Sequence, residues 1–459
     1  MSRPTTLGAL RDTGYQSRSV KAEIRDNLLT KLRAGEPAFP GIVGFDDTVL
    51  PQLESALLAG HDLVLLGERG QGKTRLMRTL ASLLDEWTPY VEGCEINDDP
   101  LAPVCSRCRR LAAEQGDDLK VAWRHRDERY VEKLATPDTS VGDLVGDVDP
   151  VKVAEGRTLG DPETVHYGLL PRTNRGVFGI NELPDLAERI QVAMFNVLEE
   201  RDIQVRGYSL RLPVDVLLVA SANPEDYTNR GRIITPLKDR FGAEIRTHYP
   251  VEVHDEVAVI RQEAHLVAEV PDHLVEILAR FTRALRGSQS VDQRSGVSAR
   301  FAIAGAETLA AAALHRATAQ AEETAVARVV DLQTAVDVLG GKIEFETGEE
   351  GRETEILTHL LRTAVAETVR AHLAGIDLRL LVEAIEEGAM VSTGARVGAR
   401  DFLAGLPVLG ESDLYDTVCD RLGATNDGER AAALELALEG LYLARRIGKD
   451  TDAGETVYG

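Results

Sequence analysis

Cysteine, aromatic residues, positive charge and long apolar runs are all scarce in this chain. Four cysteines in 459 residues do not make a disulfide framework. Aromatics at 5% argue against base-stacking platforms. Lysine and arginine together number 52 against 75 acidic residues, a net charge of −23. Such a chain repels nucleic-acid phosphates and anionic lipid, which argues against a general nucleic-acid binder or a membrane-surface protein. No run of 18 apolar residues occurs, so no membrane-spanning helix is expected. No apolar signal core follows Met1-Ser2-Arg3-Pro4-Thr5-Thr6, and the expected location is the cytoplasm. What remains is ordinary for a folded protein: 43% hydrophobic and 28% charged residues, with length for about three domains.

Residues 1–36 are polar around one amphipathic stretch, Val20 to Leu32, and read as an N-terminal helical arm. Leu63-Val64-Leu65-Leu66, bounded by Gly60 and Gly67, reads as a buried strand. Similar runs recur at Val177–Ile180 and Val216–Ala220, with helical patterns at Arg75–Leu84 and Leu186–Leu198. Buried strands alternating with helices predict an α/β core over residues 37–250 with a parallel sheet and crossover helices. Residues 90–175 break the rhythm, and an insertion is placed at about 90–135. After Pro250 the strand signals fade. Residues 251–340 read as one helical segment, and 341–459 as a further helical region in which the chain ends. Their apolar stripes read as core packing.

Gly67-Glu68-Arg69-Gly70-Gln71-Gly72-Lys73-Thr74 fits the pattern G-x-x-x-x-G-K-[ST] between a strand and a helix. Glycines let backbone N–H groups face phosphate oxygens, and the helix N-terminus adds partial positive charge. Lys73 is expected on the β- and γ-phosphates of ATP and Thr74 on Mg²⁺. Downstream, the strand Val177-Phe178-Gly179-Ile180 ends in Asn181-Glu182. Ligand groups gather at such C-terminal strand ends, so Glu182 is expected to polarise an attacking water. Asn181 offers an amide oxygen to Mg²⁺-bound water but no charge.

With these motifs the chain resembles the AAA+ ATPases, and within them the clade of magnesium chelatase I subunits and MoxR proteins, over about residues 38–340. Pro40-Gly41-Ile42-Val43-Gly44 looks like the adenine-side entry, with Ile42 and Val43 at the nucleotide. Gly168–Val177 resembles the chelatase segment that leads into Walker B. Asn181–Leu186 resembles the Walker B exit, with Asn in place of the family's Asp. Ile203–Leu212, with a turn at Gly207, resembles the hairpin before sensor 1. In Ser221-Ala222-Asn223-Pro224, Asn223 matches sensor 1. In Leu237-Lys238-Asp239-Arg240-Phe241, Arg240 matches the arginine finger that reaches a neighbouring subunit's nucleotide. In Ser298-Ala299-Arg300, Arg300 matches sensor 2, acting in cis. Arg230, Arg232 and Arg294 are weaker candidates. The resemblance implies a five-stranded αβα core, a helical lid over 251–340, and a ring, usually hexameric, with ATP and Mg²⁺ at subunit boundaries.

Cys94, Cys105 and Cys108 follow C-x10-C-x2-C inside the inserted stretch, and His125 lies 16 residues further on. Zinc takes four tetrahedral S/N ligands, so a structural Zn²⁺ site of Cys94, Cys105, Cys108 and His125 is one reading. Three free thiols, or a redox pair of Cys105 and Cys108, are the others. Cys419 stands alone and is expected to be buried.

The leading expectation is an ATPase that remodels a partner protein carrying a von Willebrand factor A domain, as the resemblance implies. The narrower form is the motor subunit of a metal chelatase in tetrapyrrole biosynthesis. A low-turnover nucleotide-dependent scaffold is the third reading, suggested by Asn181. An activator of sigma-54 polymerase would need a Gly-Ala-Phe-Thr-Gly-Ala loop, which the sequence lacks.

Overall fold

The computed structural model describes residues 3–154, 164–199, 202–203, 212–224, 232–292, 296–410, 412–452 and 455–459. They form two compact units, one ending at His248 and the other beginning at Tyr249.

The first unit is built on five parallel strands: β1 (Leu63–Leu66), β2 (Tyr130–Leu134), β3 (Gly176–Asn181), β4 (Val216–Ala222) and β5 (Ala243–Arg246). Their order across the sheet is β5-β1-β4-β3-β2. The three inner strands are buried at every position, which is why they read as unbroken apolar runs. Alternate residues serve two cores. Val64, Leu66, Phe178, Ile180, Leu218 and Ala220 enter one, and Leu63, Leu65, Val177, Leu217 and Val219 the other.

Helices α1 (Val20–Ala34), α2 (Val49–Ala59) and α3 (Lys73–Thr79) supply the second core with Ile24, Leu53 and Leu76. The stretch read as an arm is thus a packed layer of the unit. Ser19 caps α1 and Gly35 closes it in the left-handed conformation. Its Val20 N–H donates to Asp215 at 2.7 Å. Its Glu23, 4% exposed, holds the guanidinium of Arg129, 1% exposed, through two bonds of 2.7 and 2.6 Å. Two buried opposite charges paired this way offset most of each other's desolvation.

The inserted stretch is shorter than expected. Tyr130–Leu134, placed inside it on sequence, is the outer strand β2 of the main sheet. The insertion starts and ends on an antiparallel pair, Trp87–Val91 with Val121–His125, and carries α4 (Ser106–Gln115). On the same side of the sheet lies α5 (Glu188–Glu199), whose Ile190 and Met194 join that core.

In the second unit α6 (Val253–Glu263), α7 (Asp272–Gly287), α8 (Ala299–Ala319), α9 (Leu332–Leu339) and α10 (Glu353–Leu373) share one core, which also takes Leu436 of α11 (Asp427–Leu443). The segments on either side of residue 340 are therefore not separate bodies. A buried Arg328 bonds Glu435 of α11, Thr393 Oγ1 at 2.8 Å and the Val397 carbonyl at 2.8 Å. Cys419 is buried as expected. The expectation that the chain ends in helices is corrected: Val391–Gly394, Lys449–Asp452 and Glu455–Tyr458 form an antiparallel sheet with the last strand in the middle. Among the described residues no helix is long and apolar enough to cross a membrane.

Candidate functional site

The loop Gly67–Thr74 leaves the C-terminal end of β1 and runs into α3. Gly70 and Gly72 both stand at φ 76°, a conformation that favours glycine. A Cβ on Gly67 would overlap Thr247 Oγ1 and Gln71 Oε1, which are themselves bonded at 2.8 Å. The loop is thereby pinned to the end of β5 through Thr247, a residue the sequence reading did not single out.

Lys73 is 6% exposed, and its ammonium turns back into the loop. It donates to the carbonyls of Gly67 and Glu68, the latter at 2.8 Å, and to Asn223 Oδ1 at 2.7 Å. Asn223, just beyond β4, donates from Nδ2 to Glu182 Oε2 at 2.8 Å. Beside this chain, Thr74 Oγ1 donates to Asn181 Oδ1 at 3.0 Å, and Ser221 Oγ to the same oxygen at 3.3 Å. The Glu182 N–H donates to Ser221 Oγ at 3.2 Å. Ser221 therefore ties the ends of β3 and β4 together.

Glu182 occupies φ 56°, ψ 49°, the left-handed region. For a non-glycine residue this costs about 1–3 kcal/mol and recurs at functional sites. The turn swings its carboxylate off the strand axis toward Asn223.

Of the other expected residues, Ile42 is half-buried against the α1–α3 core, and Val43 is half-buried beside it. The carbonyl of Gly41 accepts from Arg75 Nε at 3.1 Å, joining this segment to α3. Arg240 lies over the Phe195 ring of α5, 3.9 Å from its centroid, and donates to the Pro236 carbonyl at 3.2 Å. Arg300 is exposed in the first turn of α8, in the second unit. Arg232 is exposed, and its carbonyl accepts from Gln191. Arg230, Arg294 and the Gly207 turn lie outside the described residues. The structure thus gathers Lys73, Thr74, Asn181, Glu182 and Asn223 into one network.

A second cluster lies in the insertion. One ligand atom from each of Cys94, Asp98, Cys105 and Cys108 lies within 4.8 Å of all the others, and all four residues are buried. His125 is corrected out of this group. Its ring stacks edge-on against Trp87 at 5.0 Å, and its Nδ1 lies 3.1 Å from an Asp127 carboxylate oxygen. Strand pairing explains the displacement: His125 ends the strand Val121–His125 opposite Trp87, whereas the cysteines lie beyond the other end of that hairpin. Asp98, which the sequence reading missed, takes the fourth position, and burial pushes its carboxyl up to about 7.

Comparison with known proteins finds relatives by sequence. A family model described as the Sigma-54 interaction domain matches residues 157–240. The 38 kDa subunit of magnesium chelatase from Rhodobacter capsulatus is 31% identical over 241 residues, 49% of this chain and 61% of that protein. The chloroplastic magnesium-chelatase subunit ChlI-2 of Arabidopsis thaliana is 28% identical over 258 residues, 54% of each chain. The chain thus spans little more than half to about three fifths of the length of these relatives. A cryo-EM-based structure of the BchI–BchD complex of magnesium chelatase aligns with 70% of this chain and 98% of its own, at 23% identity and a TM-score of 0.37. Over about half of its length, the stretch that holds the loop Gly67–Thr74 and the β5-β1-β4-β3-β2 sheet, this chain is thus similar in sequence to the magnesium chelatase subunits.

Proposed function

We propose that this protein binds ATP with Mg²⁺ at Gly67–Thr74 and hydrolyses it, in a ring of identical chains, to remodel a partner protein. The observation that carries this reading is the bonded path Lys73–Asn223–Glu182 lying beside Thr74–Asn181. It sets a cation, an amide, a carboxylate and two hard oxygen donors at the mouth of a loop shaped for phosphate.

In this reading Lys73 exchanges its carbonyl partners for the β- and γ-phosphate oxygens. Glu182 accepts a proton from the attacking water, and Asn223 holds both that carboxylate and the Lys73 ammonium in place. Thr74 Oγ1 and Asn181 Oδ1, 3.0 Å apart, fit Mg²⁺ and its bound water as oxygen donors. The ion, once bound, neutralises charge on the β- and γ-phosphates. Ile42 and Val43 take the adenine side. Arg240 acts on a neighbouring subunit's nucleotide and Arg300 on its own subunit's.

The partner in this proposal carries a von Willebrand factor A domain on a separate chain. The alternative is the motor of a metal chelatase acting on a tetrapyrrole, favoured by the relatives' names. The sigma-54 likeness covers the strand ends that all these readings share, while the sequence lacks the Gly-Ala-Phe-Thr-Gly-Ala loop of the activators.

Glu182→Gln tests the motor. It should keep ATP binding and lose turnover by roughly 10²–10⁴-fold in a steady-state phosphate-release assay. Equal, slow hydrolysis by both proteins would instead leave a nucleotide-dependent scaffold. The same variant used as bait in cells with ATP present separates the partners. A von Willebrand factor A protein alone supports remodelling, and the same protein with a large tetrapyrrole-binding subunit supports chelation.

A further inference from the structure

We infer that Cys94, Asp98, Cys105 and Cys108 form a binding site for one zinc ion that holds the insertion together, independently of the nucleotide site. Three observations converge on it.

The first is the donor set. Three sulfurs and a carboxylate, buried and within 4.8 Å of one another, come from two places: the turn after the strand Trp87–Val91, and the first turn of α4, where Cys105 is the N-cap. Around a tetrahedral zinc with bonds of about 2.3 Å to sulfur, ligand atoms stand about 3.8 Å apart. The cluster is therefore compact enough for all four donors to reach one ion. A multi-iron cluster would hold its cysteines farther apart, because metal–metal spacings intervene between the ligands. Soft sulfur donors disfavour Mg²⁺ and Ca²⁺.

The second is an orphan oxygen. Asp98 is wholly buried. Its Oδ2 accepts from the N–H groups of Val104 at 3.1 Å and Cys105 at 2.8 Å. Its Oδ1 is buried with no hydrogen-bond partner among the described residues. A buried acceptor left alone costs about 1–3 kcal/mol, and more when charged. A cation among the sulfurs satisfies it directly.

The third is the backbone. The N–H of Asp98 donates to Cys94 Sγ at 3.4 Å, and the N–H of Cys108 donates to Cys105 Sγ at 3.3 Å. Both bonds favour the charged sulfur that a metal needs. On binding, the thiols release their protons and zinc takes their place, so no oxidant or reductant takes part.

Ile96 and Leu119 of the insertion are buried in the core of the unit, while α4 itself buries only Cys108 completely. A metal joining that helix to the Cys94–Asp98 turn adds a crosslink to this packing. From the same turn, Asn97 Nδ2 donates to the Arg172 carbonyl at 2.7 Å, on the segment that leads into β3.

The test is metal analysis of the full chain, purified under reducing conditions without added zinc and then incubated with zinc and desalted. About one zinc per chain is expected. His125→Ala should keep it. Asp98→Asn should lose it: the amide oxygen still accepts from Val104 and Cys105, while its NH₂ cannot ligate. Well under one zinc per wild-type chain overturns the proposal, as does an intact mass two hydrogens light from a Cys105–Cys108 disulfide. So does Asp98→Asn holding zinc while His125→Ala loses it. Cobalt substitution gives a reading on the wild type that needs no variant to fold. A tetrahedral cobalt–thiolate spectrum supports the site, and an octahedral one refutes it.

Discussion

At the scale of single residues, the proposed nucleotide site has an amide, Asn181, where the AAA+ pattern has a carboxylate. Asn181 Oδ1 accepts from Thr74 and Ser221, and in the proposed site it would offer Mg²⁺ an oxygen without the charge. Asn181→Asp changes charge alone. At a partly shielded distance one extra negative charge is worth about 1.4 kcal/mol toward Mg²⁺, or about tenfold. The Mg²⁺ concentration that half-saturates ATP turnover should fall by about that factor, and an unchanged value would place Asn181 away from the ion. Most of this site was legible, because a phosphate loop and two strand ends leave local signatures. What was not legible is tertiary. Thr247 meets Gln71 only because β5 lies beside β1. Asp98 displaced His125 from the cysteine cluster because a strand register, not a count along the chain, decides which side chains meet.

Among the elements, two helical glycines make a matched pair. A Cβ on Gly305, within α8, would meet Leu278 at 3.4 Å, an ordinary contact. A Cβ on Gly440, within α11, would stand 2.6 Å from a Val369 methyl of α10. Ala is favoured over Gly in a helix by about 0.5–1 kcal/mol. Gly305→Ala should therefore raise the thermal midpoint slightly. Gly440→Ala should lower it, since a stiff β-branched neighbour cannot swing aside and overpacking costs about 1–3 kcal/mol. Opposite shifts in a thermal melt are the expected result. The inner strands were readable because burial on both faces leaves an apolar run. β2 and β5 were not, because an edge strand such as Tyr130–Leu134 mixes charge with apolar residues. The last strands include Lys449-Asp450-Thr451-Asp452, which has no apolar residue to betray it.

For the molecule as a whole, acid should weaken the second unit through a buried imidazole. His273 on α7 is almost fully enclosed, its Nε2 has no partner among the described residues, and burial pulls it down to about 4, with His372 adding repulsion and Asp272 and Glu276 opposing. The unfolded chain takes up this proton near 6.5 and the folded chain only near 4. Between those values the unfolded state binds more protons, so stability is full above about pH 6.5 and falls as pH drops toward 4, by on the order of 3 kcal/mol. Denaturant titrations at pH 7 and 5 should show the loss, and His273→Leu should shrink the difference between the two. In the first unit, Val91 and Val121 face each other across the hairpin at the base of the insertion. The chain therefore leaves this hairpin and returns to it at one point. Because each doubling of a loop costs only about 0.6 kcal/mol, a reporter threaded at the exposed residues 113–116, where α4 ends, should leave the register of β2 and β3 undisturbed.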